Sequence, residues 1–578
     1  MIDNKHINKI IVSITAVALI ALLVFMLVFG QSAKAAASGL AMEYENSLFS
    51  PDSIIDVDVS ISEEDWEDLL ANAIKEEYYS CDVTVNGTEY KNVGFRAKGN
   101  TSLSMVASSD SDRYSFKISF DEYVDGQTCD GLSMLVLNNN YSDATMMKEA
   151  ICYDMFAFLG ADASLYNYAK VSINGEYYGV YLALEPVDEN FAIRNYGADY
   201  GELYKPDSME MGGPGKMQGR TDFAGGFGPG SGSGSLSGGT VPGEPGGTTD
   251  NSNKLPEREA DSGSFDPGSG PGSPSGGTPP GGLGNSDSSG GSERPEKPSG
   301  TPPQSQDGEP PEMPDGESPG MSADSTGDGA NLTYTDDSLD NYQSIWYGSV
   351  FDTTDKDHKR VVKALKNICS DNADAQTLSD YMDVDNVLRY MAVQTFVVNL
   401  DSLSGNMEHN YYLYEDDSVL NIIPWDYNLA FGGFQSQNAS DVINFPIDTP
   451  FSSGVSTENR QFFMSLLEND EYREQYHEYL RQLAEEYVGG GIFENTVSRI
   501  SSQIDDLVKT DPTFFYSYGE YTSAVEMLKQ TVALRSESIK GQLDGKIPST
   551  RSEQEADSSA LIDSAGIDLN VMGVMNNR

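Results

Sequence analysis

Between residues 207 and 330 the chain runs through GGPGK, GGFGPGSGSGS, GGTPPGG and PPEMPDGE, with few aromatic or β-branched residues. A segment of that composition has too little apolar surface to offset the entropy of ordering it. It predicts a long disordered insert, and its irregular glycine spacing excludes a collagen triple helix. Whatever folds must be built from the two flanks, residues 45–206 and 331–545, as separate domains or as halves of one. Residues 546–578 are polar and acidic and are expected to form a disordered tail.

The N-terminal end carries a different signal. Residues 10–29 are an apolar run broken only by Ser13 and Thr15 and preceded by Lys5 and Lys9. That is long enough to cross a bilayer, and the positive flank puts the N-terminus in the cytoplasm and everything after Gly30 outside. Residues 32–37 offer small side chains for cleavage, yet a signal peptide has an apolar region of only about 7–15 residues. Residues 1–38 therefore read as a cytoplasmic stub and signal anchor in preference to a signal peptide. The large domain is expected outside the cytoplasm, held at the membrane by a single pass, or secreted if the segment is cleaved.

Charge and side-chain chemistry narrow the function. Against 36 basic residues stand 90 acidic ones, a net charge of −54, which repels duplex DNA and excludes nucleic acid as a leading partner. Cys81, Cys129, Cys152 and Cys369 form no C-x-x-C pair, so neither a zinc knuckle nor a dense disulfide framework is indicated. With histidine only at positions 6, 358, 409 and 477, a multi-histidine metal site or a histidine triad has little to draw on. Any chemistry should rest on carboxylates.

The first flank is strand-rich. Asn86-Gly87 and Asn174-Gly175 each sit between alternating apolar residues, the strongest short hairpin signal because both turn positions need positive φ. Residues 114–120 alternate as a half-buried strand, and residues 143–159 carry Met147, Ala150, Ile151, Met155 and Phe158 at helical spacing. The second flank is mostly helical, over 383–398, 459–487 and 493–509, with one hairpin of strands 409–414 and 419–423. A sheet lobe with one helix, followed by a helical lobe with one β-hairpin, is the α+β layout of a two-lobed protein kinase.

Polar residues flank that hairpin at both ends. An antiparallel pair returns the chain to the edge it left, so Asp401, Asn406 and Asp426 are expected to converge. The spacing from Asp401 to Asn406 repeats the offset of the catalytic Asp and metal-binding Asn of a kinase, and Asp426 falls where the metal-binding Asp follows the hairpin. Turn-forming Asp and Asn at strand ends produce the same spacing. Lys117 is the candidate cation for the phosphates, with Glu149 as its ion-pair partner, and Lys98-Gly99-Asn100 lies in a loop able to offer backbone N–H groups to phosphate. Glu185 ends a strand where a kinase has its hinge.

These pieces together resemble the CotH family, the spore-coat protein kinases and their secreted relatives. They are VGFRAKGNTS (93–102), YSFKISFD (114–121), GLSMLVLNN (131–139), DATMMKE (143–149), INGEYYGVYLALEPVDENF (173–191), GELYKPD (201–207), NLDS (399–402), HNYYLY (409–414) and PWDYNLAFGG (424–433). The resemblance implies an atypical protein-kinase-like fold, use of ATP with Mg²⁺ or Mn²⁺, and phosphate transfer to Ser or Thr of a surface or coat protein. It assigns Lys117 to the phosphates, Asp401 to the acceptor hydroxyl and Asp426 to metal. Asn406 as second metal ligand and Glu185 at the adenine side follow from the kinase layout. His409 and Trp425 match the family pattern and read as packing residues. Where the family commonly has W-D-x-D this chain has Trp425-Asp426-Tyr427-Asn428, and Lys148 stands where arginine is usual; Asn428 keeps an oxygen for a metal but no charge. The alternative is a non-catalytic surface or coat-assembly protein that keeps the fold.

Overall fold

The structure, a computed structural model, describes residues 39–206, 329–436 and 438–575. The expected membrane anchor and nearly all of the 207–330 insert lie outside the described residues; among these no helix is long and apolar enough to cross a membrane. The first flank holds β1 (Ile55–Ser60), β2 (Tyr79–Val85), β3 (Thr88–Lys98), β4 (Ser115–Ser119), β5 (Met134–Asn138), β6 (Tyr166–Ile173) and β7 (Glu176–Leu184). The two Asn-Gly turns join β2 to β3 and β6 to β7, with φ of 48° and 85° in the first and 53° and 82° in the second. Those angles match the twist of the flanking strands, which is why Asn-Gly forms hairpins.

The expected kinase-like lobe, an antiparallel sheet with one helix, is not what forms. The seven strands close into a barrel in the order β1-β2-β3-β4-β5-β7-β6. Closure comes from β1, a strand the sequence pattern did not single out, which pairs antiparallel with β2 and parallel with β6, Val57 lying between Val85 and Val171. Parallel pairing across more than a hundred residues leaves no local signature, and it removes both exposed edges of the sheet. Alternation then sorts the strands. Phe95, Ala97, Phe116, Ile118, Leu135, Leu137, Ala183 and Val171 fill the interior, while Val136, Val180, Leu182 and Leu184 of the opposite face join the core shared with the helices.

The principal helices are α1 (Lys148–Leu159), α2 (Glu189–Tyr196), α3 (Val384–Val397), α4 (Asp470–Arg481), α5 (Ile492–Thr510) and α6 (Tyr518–Leu543). Helix α1 starts later than its apolar spacing suggests, because the Asp143 carboxylate turns the chain first, accepting from the Thr145 and Lys148 amides. The long helix expected over 459–487 is interrupted at Asn469, whose side chain accepts from the Glu471 and Tyr472 amides and caps α4. β9 (Tyr411–Asp416) and β10 (Val419–Pro424) form the expected hairpin, turned at Asp417 and Ser418 with φ of 49° and 73°. A third strand, β8 (Glu202–Tyr204), joins it from the first flank, so the chain before the insert is sewn to the chain after it. The Lys205 amide also donates to the Gly348 carbonyl.

The C-terminal segment, expected to be disordered, is packed. Leu569 and Met572 are buried, residues Leu569–Met572 form a 3-10 turn, and the chain is described through Met575. Two apolar side chains placed three residues apart suffice to dock a short polar tail onto an existing core.

Candidate functional site

The barrel wall places the cations. On β3 and β4, Arg96 pairs with Lys117 and Lys98 with Ser115. Because Phe95, Ala97 and Phe116 point inward, Arg96, Lys98 and Lys117 point out of the barrel. Asn138 of β5 continues that face. Its oxygen accepts from Lys98 Nζ at 3.0 Å and its amide donates to Glu149 Oε2 at 2.9 Å. Glu149 lies in the first turn of α1, fully shielded, with its other oxygen 3.4 Å from the Tyr427 amide.

Helix α3 and the hairpin place the carboxylates. Val398 ends α3 at φ 50°, an unfavourable setting for a β-branched residue, and sends the chain into residues 399–410. Gln394 of α3 donates to Asn399 O and to the hydroxyls of Ser402 and Ser404, and accepts from Tyr427 OH at 2.8 Å. One side chain thus fixes both the loop carrying Asp401 and the residue after Asp426. Asp401 Oδ1 lies 2.8 Å from His409 Nε2, and Oδ2 accepts from Asn410 Nδ2 at 3.0 Å. Asn410 at φ 58° and Asp426 at φ 61° are further left-handed residues beside the site. Strain of this kind persists only where the surroundings over-determine it, and it gathers at functional sites.

The charges respond to one another. Burial, then the neighbouring Arg96, Lys98 and Lys205, push the Lys117 ammonium down to about 8, with Asp188 acting the other way. Burial and Glu185 push Asp188 up to about 7, and its Oδ2 finds no hydrogen-bond partner among the described residues. Glu149 and Asp426 are both pushed up, chiefly by burial; each carboxylate's charge opposes the other's, and Asp401 adds to the effect on Asp426. Lys98 and Lys205 pull Asp426 back, and both lie over the Trp425 ring, at 5.6 and 5.8 Å from its centroid. Three ammonium groups and four carboxylates thus act on one another within one cluster.

Of the residues named from sequence, Lys98, Lys117, Glu149, Asp401 and Asp426 belong to this one electrostatic cluster. Asp188 is a carboxylate whose charge supports Lys117, and Glu149, the partner expected for Lys117, is tied through Asn138 to Lys98. Asn406 is exposed and its amide lies 3.5 Å from Gln435 Oε1. Glu185 is buried in an ion pair with Arg194 at 2.6 Å and accepts from Tyr44 OH and the Leu165 amide, so its carboxylate has no edge left for a ligand. The Gly99 amide donates to Glu76, and Asn100 precedes a short helix, Thr101–Ala107, without capping it. Sequence reasoning passed over Asp188, Lys205, Asn138, Gln394 and Asn410, and read His409 as packing. Asp188 and Lys205 lay in quoted motifs, DENF and LYKP, where a charge beside a strand end was the available signal.

Among the described residues no three carboxylate, imidazole or thiolate groups form a ready-made metal cage. Asp426 and Glu149 still fit Mg²⁺ or Mn²⁺, which is held in nucleotide sites by one or two carboxylates together with phosphate oxygens. A surface cavity of about 570 Å³ near the start of α6 is lined by residues such as Tyr516, Glu520, Asp568 and Gly573 and by none of the charged cluster. Its walls lack a cation.

The sequence pattern described as CotH kinase protein matches residues 95–226 and 318–539, more than half of the chain and both sides of the insert. Inner spore coat protein H of Bacillus subtilis (strain 168) is 34% identical over 93 residues, 16% of this chain. The chain spans 25% of the length of that curated relative.

Proposed function

The chain belongs to the CotH kinase protein family, and we propose that it transfers the γ-phosphate of ATP to Ser or Thr of a surface or coat protein. The observation that carries this reading is the cluster of Lys98, Lys117 and Lys205 opposite Asp188, Glu149, Asp401 and Asp426. Phosphoryl transfer asks little covalent chemistry of a protein; it asks for positioning and for charge neutralisation. The three ammonium groups neutralise the phosphates. Asp426 and Glu149 supply hard oxygens for Mg²⁺ or Mn²⁺, which when bound draws charge from the phosphate oxygens. Asp401, oriented by His409 and Asn410, keeps lone pairs to accept the proton of the attacking hydroxyl. The relative named as an inner spore coat protein and the apolar segment 10–29 support a place outside the cytoplasm, at a membrane or coat.

One observation favours the second reading, a non-catalytic coat-assembly protein. Asn428 donates its side-chain amide to the Tyr141 carbonyl at 2.9 Å, a bond that a carboxylate at that position would not make. The two readings separate in one assay. The purified chain with labelled ATP and Mn²⁺ is expected to label itself or a Ser-rich acceptor, and Asp401→Ala to abolish the label. Absence of label on both, or equal labelling by Asp401→Ala, overturns the kinase reading and leaves the scaffold.

A further inference from the structure

Beyond the family match, which ends at residue 539, the last described residues run back to the wall of the site. The Met572 carbonyl accepts from the Ala144 amide at 3.0 Å, and the Gly573 carbonyl accepts from Lys148 Nζ at 2.6 Å. Two residues later the Met575 amide donates to the Gly433 carbonyl at 2.8 Å. Met572 is fully buried in the main core, where Thr531 Oγ1 lies 3.8 Å from its sulfur, and Leu569 packs close to Gly432. One short segment therefore holds both the turn before α1, which carries Glu149, and the stretch that follows Asp426.

The turn needs holding. Asn140, Ser142 and Met146 all have positive φ, at 56°, 59° and 54°, a run of three strained non-glycine residues in seven positions. Lys148 at its end is completely buried, and the two oxygens its ammonium reaches are Ser142 O, at 3.3 Å, and Gly573 O. Withdrawing Gly573 leaves a buried ammonium short of an acceptor, which favours a shift of the first turn of α1. That turn contains Glu149, whose bonds to Asn138 and to the Tyr427 amide set its place beside Asp426.

We propose that residues 567–575 are a built-in clamp, with Lys148 as its positioning residue, that holds Glu149 against Asp426. The inference rests on the phosphotransfer reading for its consequence: the clamp sets turnover and leaves nucleotide affinity to the lysines of the barrel wall. Gly573 is the point to break. A side chain there meets Ser142 O at 2.6 Å and Tyr516 OH at 2.7 Å, on a backbone at φ 83°. Met575→Pro removes the amide that bonds Gly433, together with the Met575 side chain.

Gly573→Ala and Met575→Pro are tested in the full-length chain by two measurements, phosphate-transfer kinetics and amide hydrogen exchange. In each, kcat is expected to fall by about tenfold or more, with KM for ATP within about threefold of wild type. Exchange over residues 143–149 and 426–433 is expected to quicken by about tenfold while the interior strand β6 is unchanged. Lys148→Arg, which keeps a donor for Gly573 O, is expected to retain more turnover than Lys148→Met. Unaltered exchange in both segments in both variants overturns the clamp, as does a rise in KM with kcat intact. A wild type that transfers no phosphate, with exchange in the variants quickened as described, overturns the phosphotransfer reading and supports the clamp.

Discussion

Arg113 and Lys117 are buried cations four residues apart at one edge of the barrel, and their surroundings are opposites. The Arg113 guanidinium reaches Asp511 at 2.9 Å, donates to Thr513 and to the carbonyls of Asn139 and Val180, and lies 4.6 Å from the centroid of the Tyr181 ring. Both partners of that ion pair are fully shielded, and the pair pins the barrel to the end of α5. Lys117 instead shares its face with Arg96, Lys98 and Lys205, opposed by Asp188, and is driven from the ordinary lysine value of 10.5 down to about 8. Acceptors surround the Arg113 guanidinium, while the charges of three other cations act on Lys117. Crowding like charges costs folding energy, which loss of the proton relieves.

Substitution tests that contrast from both sides. Arg113→Met leaves Asp511 buried without its partner, so the chain is expected to lose about 3–5 kcal/mol in denaturant unfolding, with no change in the ATP concentration dependence of whatever folds. Lys117→Met is expected to do the reverse: stabilise the fold by about 1–3 kcal/mol at neutral pH, since a pKa depressed in the folded state is a cost of keeping the proton, and abolish ATP binding in calorimetry. The sign with pH follows. The unfolded chain keeps this proton up to about 10.5 and the folded chain releases it near 8, so wild type gains stability from this group as pH rises across that window and Lys117→Met does not.

Nucleotide binding runs the other way. The phosphates require the ammonium form, so ATP affinity measured without metal is expected to weaken by up to about tenfold per pH unit above 8. Lys205→Met removes one of the rivals and is expected to move that midpoint upward by about half a unit. A midpoint that stays put after Lys205→Met separates Lys205 from the cluster.

Legibility in the sequence followed the range of each interaction. The Asn-Gly hairpins, α3, α5 and the β9–β10 hairpin were readable because turn chemistry and apolar period act within a few residues. Lys98, Lys117, Glu149, Asp401 and Asp426 were nameable because they sit in motifs that follow one another in a fixed order along the chain. Glu185 and Asn406 were nameable on the same ground, yet the first is taken by Arg194 and the second faces solvent, since position along a kinase layout does not say where a side chain's nearest opposite charge lies. Asp188 became visible only once the barrel wall and the chain after β7 were in place.

The amino-acid sequence by itself determined which residues carry charge, where the hairpin turns lie, and which family the chain joins, because composition, turn propensity and motif order are properties of neighbours along the chain. Tertiary structure alone decided that β1 closes a barrel, that Lys117 faces Asp188, and that a polar C-terminal tail docks beside Lys148. Each of these joins segments separated by tens to hundreds of residues, where closing the loop costs entropy that only simultaneous burial of both partners repays, and that balance is struck in the folded core.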